Sequence, residues 1–282
     1  MTARIDLHTH STASDGTVLP AAVVQEAAAA GLDVVALTDH DTTQGWAEAA
    51  AALPAGLSLV RGAELSAVHG GVSLHLLAYL FDPDEPVLAA ALGELRDARV
   101  RRAELMARTL EAAGTGVTWA RVQELAQGTV GRPHLARALM EQGHVGSVAE
   151  AFTSQWIGAD GPYWVPRADL DAVIAIALVR DAGGVTVFAH PRAGARGRTV
   201  DDAAIAELAE AGLLGLEVDH VDHDEQARAD LLGLAADLGL LVTGSSDFHG
   251  DSKPVRLGAH LTSPAAYERL VSAATGVEVL AA

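Results

Sequence analysis

The 282-residue sequence contains no cysteine. Disulfide bonds and thiolate metal sites are therefore excluded, so any metal ion must be bound by histidine, aspartate or glutamate. Lysine is almost absent, since Lys253 is the only one in the chain. No apolar run reaches the roughly 20 residues that cross a bilayer, and the N-terminus enters a strand without a charged and apolar leader. We therefore expect a cytoplasmic protein without a membrane partner.

Positive charge is also scarce. The chain has 19 lysine and arginine residues against 37 aspartate and glutamate residues, which gives a formal net charge of −18. Long nucleic acids usually bind along basic tracks. We therefore expect no long nucleic acid as a partner, whereas a small anionic ligand is compatible with a few converging arginines.

Half of the residues are hydrophobic, which is enough for a sizeable core. Short apolar segments alternate with alanine-rich helical segments at both ends of the chain, a pattern typical of βα units around a parallel sheet. From about Leu88 to Ile157, helical segments replace the strands. The pattern predicts an α/β barrel formed by residues 1–87 and 158–282, with a small helical domain, residues 88–157, inserted into it.

The predicted insertion differs from the rest of the chain in charge. It contains eight arginines against seven acidic residues, so it is close to neutral. We therefore expect the insertion to contact an anionic substrate.

Potential metal ligands recur at the ends of the predicted strands. His8 and His10 alternate along the first strand, so their side chains point to the same face and can share one ion. In parallel barrels, functional residues lie where the strands end. The expected ligands are His8, His10, Asp15, His40, Glu64, His75, His190, Asp247 and His249. Burying so many polar groups without a cation would be costly, so the set predicts a polynuclear metal centre.

Several arginines are candidates for substrate binding. The segment GRPHLARAL places Arg132 and His134 at the start of a predicted helix, with Pro133 in its first turn. A helix N-terminus favours phosphate, and arginine can bind phosphate through two parallel hydrogen bonds. The alternative is an ordinary helix start with solvated charge. Weaker candidates are Arg99, Arg102, Arg167, Arg192, Arg196 and Arg198.

The remaining histidines and aromatic residues are expected to be structural. His220 and His223 lie in the acidic segment EVDHVDHDE, and we expect a solvated loop there. Tyr163 and Trp164 are candidates for a nucleobase pocket if their loop faces the metal ions. The other histidines outside the predicted metal and phosphate sites are His69, His144 and His260.

The segments DLHTHSTASDG, LTDHDT, GAELS, HLLAY, FAHP and SSDFHG together resemble the motifs of the polymerase and histidinol phosphatase (PHP) domain family, in their usual order. The resemblance implies a distorted (β/α)7 barrel, similar to a TIM barrel, with two or three divalent metal ions. It implies three ligand sets: His8, His10, Glu64 and Asp247; Glu64, His75 and His190; and Asp15, His40 and His249. Manganese is the expected metal, with iron and zinc as alternatives.

Within this family the chain looks most like bacterial phosphoesterases with an inserted helical domain, among them 3′,5′-nucleoside bisphosphate phosphatases. The resemblance implies hydrolysis of the 3′-phosphate of a small phosphorylated nucleotide. A carboxylate such as Glu64 can bridge two ions, which then lower the pKa of a shared water. We expect Glu64 and Asp247 to be catalytic through the metal ions. His134 or a metal-bound water is expected to protonate the leaving group.

Three other classes of function share some of these sequence features. Many amidohydrolases bridge two metal ions with a carbamylated lysine on a middle strand, but Lys253 follows the last metal motif. A binding module of metal-poor type is disfavoured because all nine ligand positions are filled. Exonuclease action on short RNA or other oligonucleotides uses the same metal centre, and it is the main alternative function.

Overall fold

A computed structural model describes residues 2–126, 128–166, 169–194 and 197–282. Arg167 and Arg196, both candidates for substrate binding, lie outside the described residues. The strands are β1 Ile5–Thr9, β2 Val34–Leu37, β3 Ser58–His69, β4 Val72–Tyr79, β5 Leu170–Asp171, β6 Val185–Phe188, β7 Gly215–Asp219, β8 Leu241–Gly244 and β9 Leu280–Ala281. The helices are α1 Pro20–Ala29, α2 Trp46–Ala51, α3 Pro86–Ala112, α4 Trp119–Leu125, α5 Arg132–Glu141, α6 Val148–Ala151, α7 Ala172–Asp181, α8 Asp202–Ala211, α9 Glu225–Leu238 and α10 Pro264–Ala273.

The fold is mixed α/β, and its main sheet is nearly closed. Neighbouring strands follow the order β1-β2-β3-β4-β6-β7-β8. The two ends of this path approach each other after β8, where the backbone NH of His10 donates to the carbonyl of Phe248 at 2.8 Å. This closure brings the ends of the first and last strands to one mouth.

The sheet is not parallel throughout, in contrast to the prediction. Strand β4 runs antiparallel to both β3 and β6. The reason is the short connection between β3 and β4, where Gly70 and Gly71 have φ of +56° and +74°. Two residues with positive φ form the tight turn of a hairpin, and a hairpin joins only antiparallel strands.

The strands are buried on both faces. In β2, Val34 and Ala36 pack in one apolar cluster, whereas Val35 and Leu37 pack in another together with residues of the surrounding helices. Side chains alternate along a strand, so one face lines the barrel interior and the other contacts the helices.

Among the described residues, no helix is both long and apolar enough to span a membrane.

A register shift on β1 aims its histidines into the barrel. Asp6 pairs with Val35, but Thr9 pairs with Leu37, so β1 contains one extra residue between these pairs, as in a β-bulge. Thr9 therefore lies on the helix-facing side with Leu37. Its neighbours His8 and His10 point to the interior.

The segment between β4 and β5 is helical and has its own apolar cluster. The first part of α3 packs on the barrel core through Leu88 and Leu92. From Ala103 onwards, α3 packs with α4, α5 and α6 in a separate cluster that includes Ile157 and that Val165 contacts. The 27-residue helix α3 thus connects the two cores. The boundaries 88 and 157 stay a prediction.

Candidate metal centre

The predicted metal ligands meet at the mouth of the barrel. They lie on or directly after β1, β2, β3, β4, β6 and β8, and Asp15 lies in the loop after β1. His75 and His190 are partly exposed, and the other seven are buried. Isolated bridging between His40 and Glu64 extends the pairing of β2 and β3 into this mouth.

The first group consists of His8, His10, Glu64 and Asp247. The Nε2 atoms of His8 and His10 lie 3.0 Å apart, and Glu64 Oε2 lies 3.2 and 3.1 Å from them. Asp247 Oδ1 is 3.4 Å from both nitrogen atoms. Four potential ligand atoms therefore point at one small volume, in the combination that the family resemblance implies.

The second group surrounds the other oxygen of Glu64. His75 Nδ1 lies 2.7 Å and His190 Nε2 lies 3.1 Å from Glu64 Oε1. His40 Nδ1 lies 3.2 Å from Oε2 and joins Glu64 and His75 in a potential ion site. Oε2 of Glu64 thus faces His8, His10 and His40, and Oε1 faces His75 and His190, an arrangement that suits a bridging carboxylate.

The third group is centred on Asp15. His249 Nε2 lies 3.4 Å from Asp15 Oδ1, and His40 Nε2 lies 3.6 Å from Asp15 Oδ2. His10 Nδ1 also lies 3.6 Å from this carboxylate, so the geometry adds His10 to the ligand set that the resemblance implies. The three groups are contiguous because His10, His40 and Glu64 each belong to two of them.

The residues present fit the binding of several divalent ions. Among the described residues, buried ring nitrogens of His10, His40 and His75 have no hydrogen-bond partner. A buried polar atom without a partner is costly, and a metal ion would satisfy it. Imidazole and carboxylate ligands without thiolates suit manganese, iron and zinc.

Two of the acidic ligands, Glu64 and Asp15, are ionised near neutral pH. Burial by itself would raise the pKa of Glu64, but His40 and His75 hold that pKa well below its ordinary value. The pKa of Asp15 is likewise well below its ordinary value, because His40 and His249 outweigh the effect of burial. A carboxylate must be ionised to bind a metal ion.

Sequence reasoning missed Glu217, which supports the centre from β7. This carboxylate is fully buried, and its Oε1 lies 2.9 Å from His8 Nδ1. Its Oε2 accepts a hydrogen bond of 2.8 Å from the backbone NH of His190, and the hydroxyl of Ser245 donates to Oε1. Carboxylates of this kind orient a metal-binding imidazole. The signal was an acid in the otherwise apolar strand segment LGLEV.

Two further buried acids hold the loops of the site. Asp39 accepts hydrogen bonds from the backbone NH of Ser11 at 2.8 Å and from the Ser14 hydroxyl at 2.6 Å, which fixes the loop that carries Asp15. Asp41 accepts from the backbone NH of Ser66 at 2.7 Å. Both acids flank His40 in LTDHDT, and this spacing was the available signal.

The expectation of a solvated loop around His220 and His223 is wrong. Both histidines are buried, because they follow β7 directly and so lie at the barrel mouth like the other strand-end residues. His220 Nε2 lies 3.4 Å from Asp247 Oδ2. The ring nitrogens of His223 are used by the carbonyl of Val218 and the backbone NH of Arg192. His220 therefore borders the metal centre, and His223 is structural.

A cleft of about 780 Å³ leads from the metal centre to the helical segment. Its wall includes Glu64 and Asp247 of the metal centre and Arg132 and Phe152 of the helical segment. The guanidinium carbon of Arg132 lies 4.8 Å from the centre of the Phe152 ring. Further cationic residues in the wall are Arg99, Arg102, Arg198 and Lys253.

Arg102 is held in place from two sides. Its Nε donates to the carbonyl of Val165 at 2.6 Å, and its guanidinium carbon lies 5.7 Å from the centre of the Trp164 ring. The buried Arg99 donates through Nε to Asp41 at 3.1 Å and so joins α3 to the barrel.

Two predicted substrate-binding residues do not reach this cleft. Arg192 donates to the carbonyl of Val200 and to Asp202, on the side of α8. His134 is buried, and its Nδ1 accepts a hydrogen bond of 3.0 Å from the backbone NH of Gly131. Burial lowers the pKa of His134 to about 4, so the ring is neutral near pH 7. The geometry gives His134 the role of a helix cap.

The predicted aromatic wall also differs. Tyr163 stacks on Trp156 at 5.9 Å and packs against the apolar cluster of the helical segment. Trp164 is exposed and contacts Arg102. Among the described residues that line the cleft, Phe152 supplies the aromatic surface beside Arg132.

The comparisons with known proteins identify the family of this chain. The PHP domain profile matches residues 6–157. A 3′,5′-nucleoside bisphosphate phosphatase from Chromobacterium violaceum is 35% identical over 265 residues, which cover 92% of this chain and 91% of that protein. A 5′-3′ exoribonuclease from Haemophilus influenzae is 38% identical over 192 residues, which cover 68% of this chain and 70% of that protein. A solved structure from Bifidobacterium adolescentis, described as a metal-dependent phosphoesterase, matches with a TM-score of 0.90 at 36% identity and 96% coverage of both chains. The chain therefore belongs to the PHP domain family and is a metal-dependent phosphoesterase.

Proposed function

We propose that this phosphoesterase releases the 3′-phosphate from a nucleoside 3′,5′-bisphosphate. The observation that carries the proposal is that one cleft is lined both by metal-ligand residues and by Arg132 beside Phe152. Its volume of about 780 Å³ is in the range of small-molecule sites.

We also propose that the nearly closed sheet is a distorted (β/α)7 barrel and that residues 88–157 are its inserted substrate-binding domain.

The reacting phosphate would bind at the metal end of the cleft. We propose two or three ions, manganese first, held by His8, His10, Glu64 and Asp247, by Glu64, His75 and His190 with His40, and by Asp15, His40 and His249 with His10. Such ions, when bound, supply Lewis-acid charge to a phosphate ester and acidify a water molecule. Glu64 would contribute its carboxylate to two neighbouring ions, and Glu217 keeps His8 oriented.

The phosphate that is not cleaved would bind to Arg132, in the same cleft. Stacking on Phe152 restrains the guanidinium of Arg132, so its N–H groups can bind a phosphate with little loss of conformational freedom. The face of Phe152 also offers a surface for a nucleobase. Arg102, held by Val165 and Trp164, adds positive charge to the same wall.

Exonuclease action on short 5′-phosphorylated RNA is the second candidate. It draws support from the likeness to the Haemophilus influenzae exoribonuclease. The net charge of −18 disfavours long polyanions, so a bisphosphate remains our choice.

Steady-state kinetics of the manganese-loaded enzyme tests this choice. A nucleoside 3′,5′-bisphosphate, the corresponding 5′-monophosphate and a short 5′-phosphorylated RNA are compared at the same ionic strength. We expect the highest kcat/KM for the bisphosphate. If the RNA gives the highest value, the enzyme is an exonuclease.

A pair of arginine variants tests the second phosphate site. Arg132→Ala should raise KM for the bisphosphate by about 10- to 100-fold, the usual loss of a hydrogen bond to a charged group, and leave a chromogenic phosphate monoester nearly unaffected. Arg108→Ala is the matched control, because Arg108 is an exposed arginine of α3 that pairs with Glu104. An equal loss on the monoester would mean that Arg132 contacts the reacting phosphate.

A further inference from the structure

The sole lysine of the chain lies at the metal centre. Lys253 follows the short 3-10 turn Gly250–Ser252, directly after His249. Its Nζ donates a hydrogen bond of 2.6 Å to Asp247 Oδ2. The aspartate side chain is 1% exposed, whereas the lysine side chain is 28% exposed and lines the cleft. The lysine thus reaches from the cleft wall to a predicted metal ligand.

The two oxygens of Asp247 face different partners. Oδ1 points to the first metal-ligand group, at 3.4 Å from the Nε2 atoms of His8 and His10. Oδ2 points away from that group, towards Lys253 and His220. The lysine therefore occupies the oxygen that the first group does not use. Asp247 can therefore bind Lys253 through Oδ2 while Oδ1 serves an ion.

The loop that carries Lys253 is anchored to its surroundings. Arg137 of α5 donates to the Ser252 hydroxyl at 2.7 Å and to the carbonyl of Asp15 at 3.1 Å. The backbone NH of Asp251 donates to the Thr17 hydroxyl at 2.8 Å. These bonds hold the base of the lysine side chain between the first loop of the barrel and the helical segment.

The Lys253 ammonium adds positive charge beside the metal-ligand groups. An ammonium has three N–H donors, and within the described part of the chain the Nζ of Lys253 makes one hydrogen bond, to Asp247. Divalent ions repel a cation that is held beside them. A bound phosphate dianion would attract both the ammonium and the ions and so offset this repulsion. The wall of the cleft that Lys253 lines also contains Glu64 and Arg132.

We propose that Lys253 binds the phosphoryl group that is being cleaved, while its bond to Asp247 holds it in place. Lys253 is then a substrate-contacting residue, separate from the arginines that bind the other phosphate. The inference rests on the proposed function only in that a phosphate ester reacts at the metal centre. It holds for a bisphosphate, a simple monoester or an RNA end alike.

The first experiment measures inorganic phosphate binding to the manganese-loaded enzyme by calorimetry and by inhibition of a chromogenic monoester. Lys253→Met should weaken phosphate binding by about 10- to 100-fold, the usual loss of a charge-assisted hydrogen bond, at unchanged manganese content. Lys253→Arg should recover part of this loss. Arg256→Met is the matched control, since Arg256 is an exposed cation three residues further along.

The second experiment uses the uniqueness of the lysine. An amine-selective acylating reagent can label only Lys253 and the terminal amine, and intact-mass and peptide analysis distinguishes the two. Phosphate should slow labelling of Lys253 in the manganese-loaded enzyme and leave the terminal amine unaffected. Unchanged phosphate affinity in Lys253→Met, or equal labelling with and without phosphate, would overturn the proposal. Loss of manganese from Lys253→Met with normal phosphate affinity after reloading would assign the lysine to Asp247 alone.

Discussion

At the scale of single residues, Glu64 lies at the centre of a cluster of histidine rings. Its two oxygens lie within 3.3 Å of five histidine rings, those of His8, His10, His40, His75 and His190. An amide in its place keeps the shape but provides no negative charge. The bridging role therefore depends on the carboxylate itself.

Glu64→Gln should lose metal ions and reduce kcat by more than about 100-fold, because replacing even an outer partner of a metal ligand typically costs 10- to 100-fold. Elemental analysis and turnover of the same preparation measure both effects. Glu207→Gln is the control, since Glu207 pairs with His69 at the surface. A Glu64→Gln enzyme with full metal content and normal turnover would show that another residue bridges the ions.

Glu217 allows a separate test of the outer support. Glu217→Gln should weaken manganese binding by about 10- to 100-fold, because the His8 ring loses the carboxylate that orients it. Metal-buffered titration followed by elemental analysis measures this change, and circular dichroism checks the fold. Glu210→Gln, at an exposed position of α8, is the matched control. Unchanged manganese affinity in Glu217→Gln would contradict the orienting role.

At the scale of secondary-structure elements, the start of α5 separates two interpretations of GRPHLA. Arg132 reaches the cleft, whereas His134 turns back to the backbone of Gly131. His134 is the third residue of α5, counted after the N-cap Gly131. A side chain at this position can accept a hydrogen bond from the backbone NH of the N-cap residue, and glutamine can do so as well. The expected acid role of His134 therefore conflicts with its local geometry.

His134→Ala should lower the free energy of unfolding by about 1 kcal/mol through the lost cap, which corresponds to a fall in Tm of roughly 2–4 °C for a chain of this size class. His134→Gln should keep more of the stability. Both variants should retain kcat within a few-fold. Thermal melts and turnover of the two variants provide the measurement, and a large loss of kcat without a change in Tm would restore the catalytic role.

Elements also show where local patterns were sufficient. The alternation of apolar strands and helices predicted the α/β class, and the helical segment between β4 and β5 was visible as a gap in the strands. The direction of β4 was not recognised, because the hairpin depends on the two glycines of its turn. A short turn determines that the two strands it joins run antiparallel, whereas the apolar periodicity of a strand says nothing about its direction.

At the scale of the whole molecule, electrostatics should act against long anions. The net charge of −18 is spread over a chain whose predicted insertion is nearly neutral. A short ligand meets mainly the local arginines and metal ions. A long polyanion also meets the acidic surface, and salt screens that repulsion over a distance of about 10 Å at 0.1 M.

Raising the salt concentration should therefore help the longer substrate. Between roughly 20 and 200 mM NaCl, kcat/KM for a short 5′-phosphorylated RNA should rise relative to kcat/KM for the bisphosphate, since screening weakens repulsion. Both rates are measured at the same manganese concentration. A steep fall of the RNA rate with salt, as for proteins that bind along a basic track, would contradict this prediction.

The family, the α/β class and the candidate ligands could be predicted from the sequence, because histidines and acids at strand ends form a local pattern. The side chains that support these ligands could be identified only from the folded chain. Glu217 meets His8 across 209 residues, and Lys253 meets Asp247 through a turn whose path depends on Arg137. The burial of His134 and the outward direction of Arg192 depend in the same way on packing. A strand's period places a residue on a face, but the neighbouring strands and loops determine what that residue contacts.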